Sequence, residues 1–185
     1  EIYKDNDYRK TQNYVGELTS KYQQKLHYIS PKPEDITSLM NGLEDFANSI
    51  FSTNVHPVVI ASSLAFSFVF LHPFEDGNGR LHRFLIHYAL SKAGFTPDNV
   101  IFPVSAVMLK NRREYDQILE SFSSPLLTII KDLNLDDDGI LKVKDDTKLH
   151  YQYIDYTSFA EYLFHCIERT IDEDFKEELT FIQQY

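Results

Sequence analysis

Residues 72 to 83 read His-Pro-Phe-Glu-Asp-Gly-Asn-Gly-Arg-Leu-His-Arg, and each part of that run has a chemical use. His72 carries an imidazole whose ordinary pKa near 6.5 suits proton transfer at neutral pH. Asp76 offers one carboxylate, which is enough for Mg²⁺ when substrate phosphates and water complete the shell. Gly77 and Gly79 allow unusual backbone angles and close approach of a ligand to the main chain. They stand where a helix begins, so unpaired N–H groups and the positive end of the helix dipole face outward and favour an anion. Arg80 and Arg83 add guanidinium forks that suit phosphate oxygens. Phe74 is read as the anchor that holds the loop to the core. Singly, a His-Pro after a helix is usually structural and a Gly-x-Gly is usually a turn. Within twelve residues they predict a nucleotide-phosphate site with base, metal ligand and anion cradle. The glycines lack a preceding strand and dinucleotide spacing, and no P-loop lysine follows them.

The elements around this run must place it. Val58 to Leu71 is apolar on nearly all sides, broken only by Ser62, Ser63 and Ser67, which predicts a central buried helix begun by Pro57. That helix must stop near Leu71, because a residue before proline is pushed out of the α region. Leu81 to Ala93 is expected to form the next helix, with Gly94 as its stop. Upstream, Lys25 to Pro31 alternates like half a hairpin. Ile36, Leu39, Met40, Leu43, Phe46, Ala47 and Ile50 then recur at helical spacing after Pro33. Downstream, Ser105 to about Phe122 reads as one or two helices, broken by Ser123-Ser124-Pro125. Asp136 to Gly139 reads as a turn and Ile140 to Val143 as a short strand. Thr157 is expected to cap a long helix with a stripe of Phe159, Leu163, Ile167, Ile171, Phe175, Leu179 and Ile182. The fold class is mainly α. Two domains are expected, a core over 1–125 and an acidic C-terminal extension over 126–185 that packs on it.

Composition narrows the classes. A hydrophobic share of 43% is that of a packed globular chain, not a disordered one. The net charge of −10 is uneven: from Lys131 onward fourteen acids face six bases. Such a surface repels phosphate backbones, so nucleic acid is not an expected partner of the core, whereas one basic pocket for a single nucleotide remains compatible. Cys166 is the only cysteine, so neither an internal disulfide nor a thiolate zinc site can form, and a cytoplasmic setting is expected. The longest apolar run is too short to span a membrane. Because the chain opens with Glu1 and not Met, it is expected to be part of something longer.

The run from His72 to Arg83 resembles the signature of the Fic (filamentation induced by cAMP) domain family at every specified position. The resemblance extends through Thr11 to Gly16, Tyr28 to Pro31, Leu43-Glu44, His56-Pro57 and Arg113 to Tyr115, roughly residues 8–125. It implies a Fic-type helical bundle with a small β-hairpin flap. It also implies transfer of AMP from ATP to a Ser, Thr or Tyr hydroxyl of a target protein. By that match His72 is the general base and Asp76 holds Mg²⁺. Gly77, Asn78 and Gly79 form the anion hole, and Arg80 and Arg83 hold phosphates. Leu26, His27, Tyr28 and Ile29 fall at the target-binding flap, where a hairpin edge can align a target chain. Simple packing of that hairpin is the alternative.

Several residues admit two readings. Tyr115 falls where the family lines its adenine pocket, yet it also fits a core stripe with Ile118, Leu119 and Phe122. His82 and His87, five apart, point about 140° from each other on a helix, so packing is preferred to metal ligation. Many relatives carry an inhibitory helix whose glutamate pairs with the second motif arginine, here Arg83. Thr157 and Glu161 have its spacing, but Tyr162 departs from its pattern, so such a helix would lie upstream, come in trans from a partner, or be absent. A homodimer is a further partner to consider. Two other functions compete with AMP transfer. One keeps the site but removes AMP or moves another phosphate-containing group; the other is a non-catalytic nucleotide-sensing interaction module.

Overall fold

The computed structural model describes residues 7–20, 23–96, 103–135 and 139–174. Alternation around Lys25–Ile29 becomes a strand. β1 (Tyr14–Ser20) and β2 (Gln23–Ile29) pair antiparallel, with Tyr14 opposite Ile29 and a register shift between Val15 and Gly16. Ile29 is buried, whereas Val15 stays exposed. The hairpin thus has an inner face seated on the protein and an outer face.

α1 (Pro33–Ile50) starts on Pro33 and carries Glu34 and Asp35 in its first turn, where they suit the dipole. It buries Ile36 and Leu39. α2 (Pro57–Leu71) is the expected central helix, with every residue but Pro57 and Val59 buried. Its three serines do not need solvent. Ser62 and Ser63 donate to the carbonyls of Val58 and Val59 at 2.6 and 2.8 Å, and Ser67 likewise reaches Ser63. Each buried hydroxyl is satisfied one turn back, so polar residues are tolerated in an otherwise apolar helix.

α3 (Asn78–Lys92) begins three residues before the expected Leu81, because Gly77 takes φ 87° and starts the helix there. Gly94 follows with φ 72°, the left-handed stop expected of it. His82 is fully buried on α3, its Nδ1 2.8 Å from the carbonyl oxygen of Ala65 and its ring edge-on to Phe66 at 4.9 Å. His87 lies 2.9 Å from the Ser105 hydroxyl. Both histidines are packing residues here.

α4 (Val104–Lys110) and α5 (Arg112–Ile129) meet at Asn111, whose φ of −113° and ψ of 50° break the helix. The expected break at Ser123-Ser124-Pro125 does not occur: α5 runs straight through Pro125 to Ile129. Pro125 and Ser121 are both exposed, so the carbonyl that loses its helical donor faces water. Leu126, only 3% exposed, holds the last turn on the core beyond the proline. Tertiary packing outweighs the local cost.

β3 (Leu133–Leu135) pairs antiparallel with β4 (Leu141–Val143), the short strand expected near Ile140. The acidic run Asp136–Asp138 lies outside the described residues. α6 (Lys148–Gln152) was not anticipated; its buried Tyr151 donates its hydroxyl to the Ile29 carbonyl. α7 (Thr157–Arg169) begins at Thr157 with Tyr156 and not Thr157 as its N-cap, and Asp155 just before accepts from the Thr157 amide at 2.9 Å and hydroxyl at 2.7 Å. A π-helical turn follows over Thr170–Asp174, and the stripe residues Phe175, Leu179 and Ile182 lie outside the described residues. α1, α3 and α7 all pack on α2. Phe159, Leu163, Cys166 and Ile167 of α7 are part of the same buried core, so this helix packs directly on the helix that leads to His72. The chain is mostly helical with small hairpins.

Candidate active site

α2 delivers His72. Its last hydrogen bond runs from the His72 amide to the Phe68 carbonyl at 3.0 Å. His72 itself then takes φ 47° and ψ 56°, the only positive φ outside glycine among the described residues. For a non-glycine residue such a conformation costs about 1–3 kcal/mol and persists only where neighbours impose it. It turns the chain out of the helix and into Pro73. The imidazole is half-buried beside Tyr28, with ring centres 6.2 Å apart. Burial holds its pKa below the ordinary histidine value, opposed by a backbone hydrogen bond with Val69 and assisted by the charge of Arg9. A ring neutral at pH 7 is ready to accept a proton.

The loop from Phe74 to Gly77 is braced from within. Asn78 is 2% exposed, its side-chain oxygen accepting from the Phe74 amide at 3.0 Å and its nitrogen donating to the Phe74 carbonyl at 2.7 Å. The Phe74 ring lies 5.8 Å from that of Tyr8 and 6.2 Å from that of Phe68, which anchors the loop as expected. Gly77 is required by its φ of 87°. Gly79 is different. Its φ is not positive, and an added Cβ would meet only the Arg83 guanidinium at 3.7 Å. Nothing in the fold demands glycine there, and Gly79 lines the cavity.

His72, Glu75, Asp76, Gly77, Asn78, Gly79, Arg80 and Arg83 line one cavity of about 290 Å³. Eight residues of one sequence run therefore converge on one space. The first amides of α3 open here, and the helix cannot satisfy them itself. Asp76 pairs with Arg80 at 3.0 Å and accepts from the Gly77 amide at 2.6 Å. Glu75 accepts from the Thr11 hydroxyl at 3.0 Å.

His72 also lines a second cavity, of about 440 Å³. Its apolar walls are Val15, Tyr28, Val69, Phe70 and Leu119, and Asp116, Glu120, Arg112 and Ser123 bring polar groups from α5. His27 stands at its rim, 3.3 Å from a Glu17 oxygen and 3.5 Å from a Glu120 oxygen. Of the four flap residues, only His27 and Tyr28 line this space. Ile29 is buried under the hairpin and Leu26 packs on the core cluster of Ile29, Leu71 and Leu126. Tyr28 is anchored by donating its hydroxyl to the Phe70 carbonyl.

Tyr115 lines neither cavity. Its ring lies 5.8 Å from His82 and 6.5 Å from Tyr162, and burial pushes its hydroxyl up to about 12. The α5 residues that line the second cavity are Arg112, Asp116, Leu119, Glu120 and Ser123. A helical-face argument from Phe70 and Val69 would have been needed to find them. Sequence reading also passed over Arg9, whose guanidinium reaches the His72 carbonyl. A lone arginine in a polar stretch carries no local signal. Glu161, considered as an inhibitory glutamate, is exposed on α7, and no ion pair joins it to Arg83 among the described residues.

Residues 1–90 match the sequence model of the Fic/DOC family. Just under half of the chain is thus similar to the Fic/DOC family. Proteins named protein adenylyltransferase Fic are similar over about half of the chain. That of Drosophila willistoni is 38% identical over 97 residues, covering 52% of this chain and 17% of the relative. That of Drosophila grimshawi is also 38% identical, covering 52% and 18%. The chain thus spans about a sixth of the length of these relatives. Two solved structures share the fold. A Fic family protein from Desulfovibrio desulfuricans G20 superposes with a TM-score of 0.61 at 21% identity, over 96% of this chain and 43% of that one. A Fic domain-containing signalling protein from Bacteroides thetaiotaomicron VPI-5482 gives 0.55 at 24% identity, over 90% and 52%. The Fic/DOC match includes the whole run from His72 to Arg83.

Proposed function

We propose that this chain is a protein adenylyltransferase, moving AMP from ATP to a Ser, Thr or Tyr hydroxyl of a target protein. The observation that carries the reading is that His72 lines both cavities. One opens on the N-terminus of α3 and carries Arg80 and Arg83 beside Glu75 and Asp76; the other is apolar-walled and carries the carboxylates of Asp116 and Glu120 with Arg112. The helix N-terminus and two guanidinium groups of the first suit phosphates, whereas the apolar walls and carboxylates of the second suit a flat base with amino donors. A nucleotide laid across both brings its α-phosphate beside the imidazole.

The step balances simply. The target oxygen bonds to the α-phosphorus, the bond from that phosphorus to the bridging oxygen breaks, and pyrophosphate leaves. His72 takes the hydroxyl proton. Gly77, Asn78 and Gly79 present main-chain donors to the phosphate oxygens, and Arg80 and Arg83 hold the outer phosphates. Asp76 fits a Mg²⁺ role: it is an exposed carboxylate at the cavity edge, and its Arg80 partner is free to turn to phosphate once the nucleotide binds. When bound, Mg²⁺ supplies positive charge against the phosphate oxygens. The hairpin, whose His27 and Tyr28 wall the base cavity, offers its edge as the surface on which a target chain is aligned. A cytoplasmic setting accords with the lone, buried thiol of Cys166.

Mass spectrometry after incubation with ATP and Mg²⁺, alone and in lysate, tests the reading. A gain of one AMP on this chain or on another protein is expected. His72→Ala should abolish transfer while ATP binding persists, because a general base is worth about 10²–10⁴ in rate and contributes little to ground-state affinity. Undiminished transfer by folded His72→Ala protein would sink the mechanism.

A further inference from the structure

We infer that Arg9 is a positioning residue for the His72 imidazole: it clamps the left-handed cap that aims the ring, and it ties that cap to the foot of the hairpin. The activity arm of this inference rests on the proposed adenylyl transfer; the conformational arm does not.

Arg9 is 3% exposed. Its main-chain amide donates to the Pro73 carbonyl and its Nε to the His72 carbonyl, both at 2.8 Å. Its two terminal nitrogens reach the Thr11 and Pro31 carbonyls, both at 2.6 Å. All four acceptors are main-chain oxygens, so each bond sets the direction of a peptide plane. Burying a cation against carbonyls is costly, and a rigid guanidinium fork is the side chain that can satisfy three of them at once.

His72 is thereby held from both ends. Its amide is fixed by the Phe68 carbonyl at the end of α2, and its own carbonyl is fixed by Arg9. Those two constraints bracket its φ of 47° and ψ of 56°. Left alone, a non-glycine residue before proline prefers extended backbone, which would swing the imidazole away from both cavities. The same guanidinium holds Pro31, where β2 runs into α1. Tyr28, whose ring is 6.2 Å from that of His72, is thus located by the same residue that locates the base. None of these bonds touches the residues from Gly77 to Arg83, so loss of Arg9 should spare nucleotide binding.

The test uses the full chain with Arg9→Lys and Arg9→Gln. Lysine keeps the charge but cannot span three carbonyls, and glutamine keeps a donor without the charge. The backbone Cα and Cβ shifts and the HN–Hα coupling of His72, read by NMR, should show a positive φ in the parent protein and lose it in both variants while the amide signals of α2 persist. Turnover should fall about 10- to 100-fold with KM for ATP within about two-fold, the signature of a misplaced base and not of a damaged cradle. A folded Arg9→Gln protein that keeps the positive φ of His72 overturns the inference, as does unchanged turnover in Arg9→Lys. If the glutamine variant does not fold, the lysine variant decides alone. If the parent protein transfers no AMP, the proposed function fails and the His72 backbone measurements still decide the role of Arg9.

Discussion

At the scale of single residues, Gly79 separates function from stability. The fold would accept alanine there, since its backbone is ordinary and the nearest atom to an added methyl is a flexible guanidinium nitrogen at 3.7 Å. Gly79→Ala should therefore keep or raise the melting temperature, by up to about 1 kcal/mol of stability. AMP transfer should fall about 10²-fold, because the methyl intrudes where main-chain donors meet phosphate. A joint loss of stability and transfer would show instead that the glycine serves the fold. His72 makes a second prediction. Its pKa lies below 6.5 because the ring is half-buried, so the protonated, inactive form should appear only in more acid solution. The acid limb of kcat/KM against pH is accordingly expected below 6.5, and a limb at or above that value would contradict the described burial.

At the scale of elements, α5 shows where local rules yield to packing. Pro125 lies inside the helix with its ring toward solvent, and Leu126 pins the following turn to the core. Pro125→Ala should restore one helical hydrogen bond and stabilise the protein by about 1–3 kcal/mol. Thermal unfolding should show this as roughly 2–4 °C per kcal/mol. A lower melting temperature would mean that the rigid proline helps more in the unfolded chain than it harms the helix. α3 teaches a complementary point. Its start was placed at Leu81 by the apolar pattern, but Gly77 begins it one turn earlier. Hydrophobic spacing reports the buried face only, and the first turn of α3 faces the cavity. The part of the helix that matters for anion binding was thus the part without a periodic signal.

At the scale of the whole molecule, acid stability follows from the buried histidine. His82 is pushed down to about 4 by burial, with the Ala65 carbonyl opposing and Arg83 assisting, against 6.5 when unfolded. The unfolded chain therefore binds the proton first. Stability is full above about pH 6.5 and is lost as the pH falls toward 4, by roughly 3 kcal/mol for this one group. Burial of His72 acts in the same direction. Urea unfolding at pH 7.5 and 4.5 measures the difference, and His82→Met should flatten it. An equal slope in that variant would remove His82 as the cause.

The sequence by itself determined the chemistry of residues 72 to 83, the central apolar helix before them and the mainly helical class. Those features are local: neighbours in the chain stay neighbours in space, and burial leaves its mark in apolar spacing. It also held the hairpin near Lys25 to Pro31, though not what covers each of its faces. Only the tertiary structure decided that Tyr115 turns inward while Asp116 and Leu119 face the cavity, because one helical position changes the direction of a side chain by about 100°. Only the tertiary structure brought Arg9 to the carbonyl of His72, 63 positions away. A hydrogen bond across that distance is set by how the hairpin, α1 and α2 pack together, and no pattern of neighbouring residues encodes it.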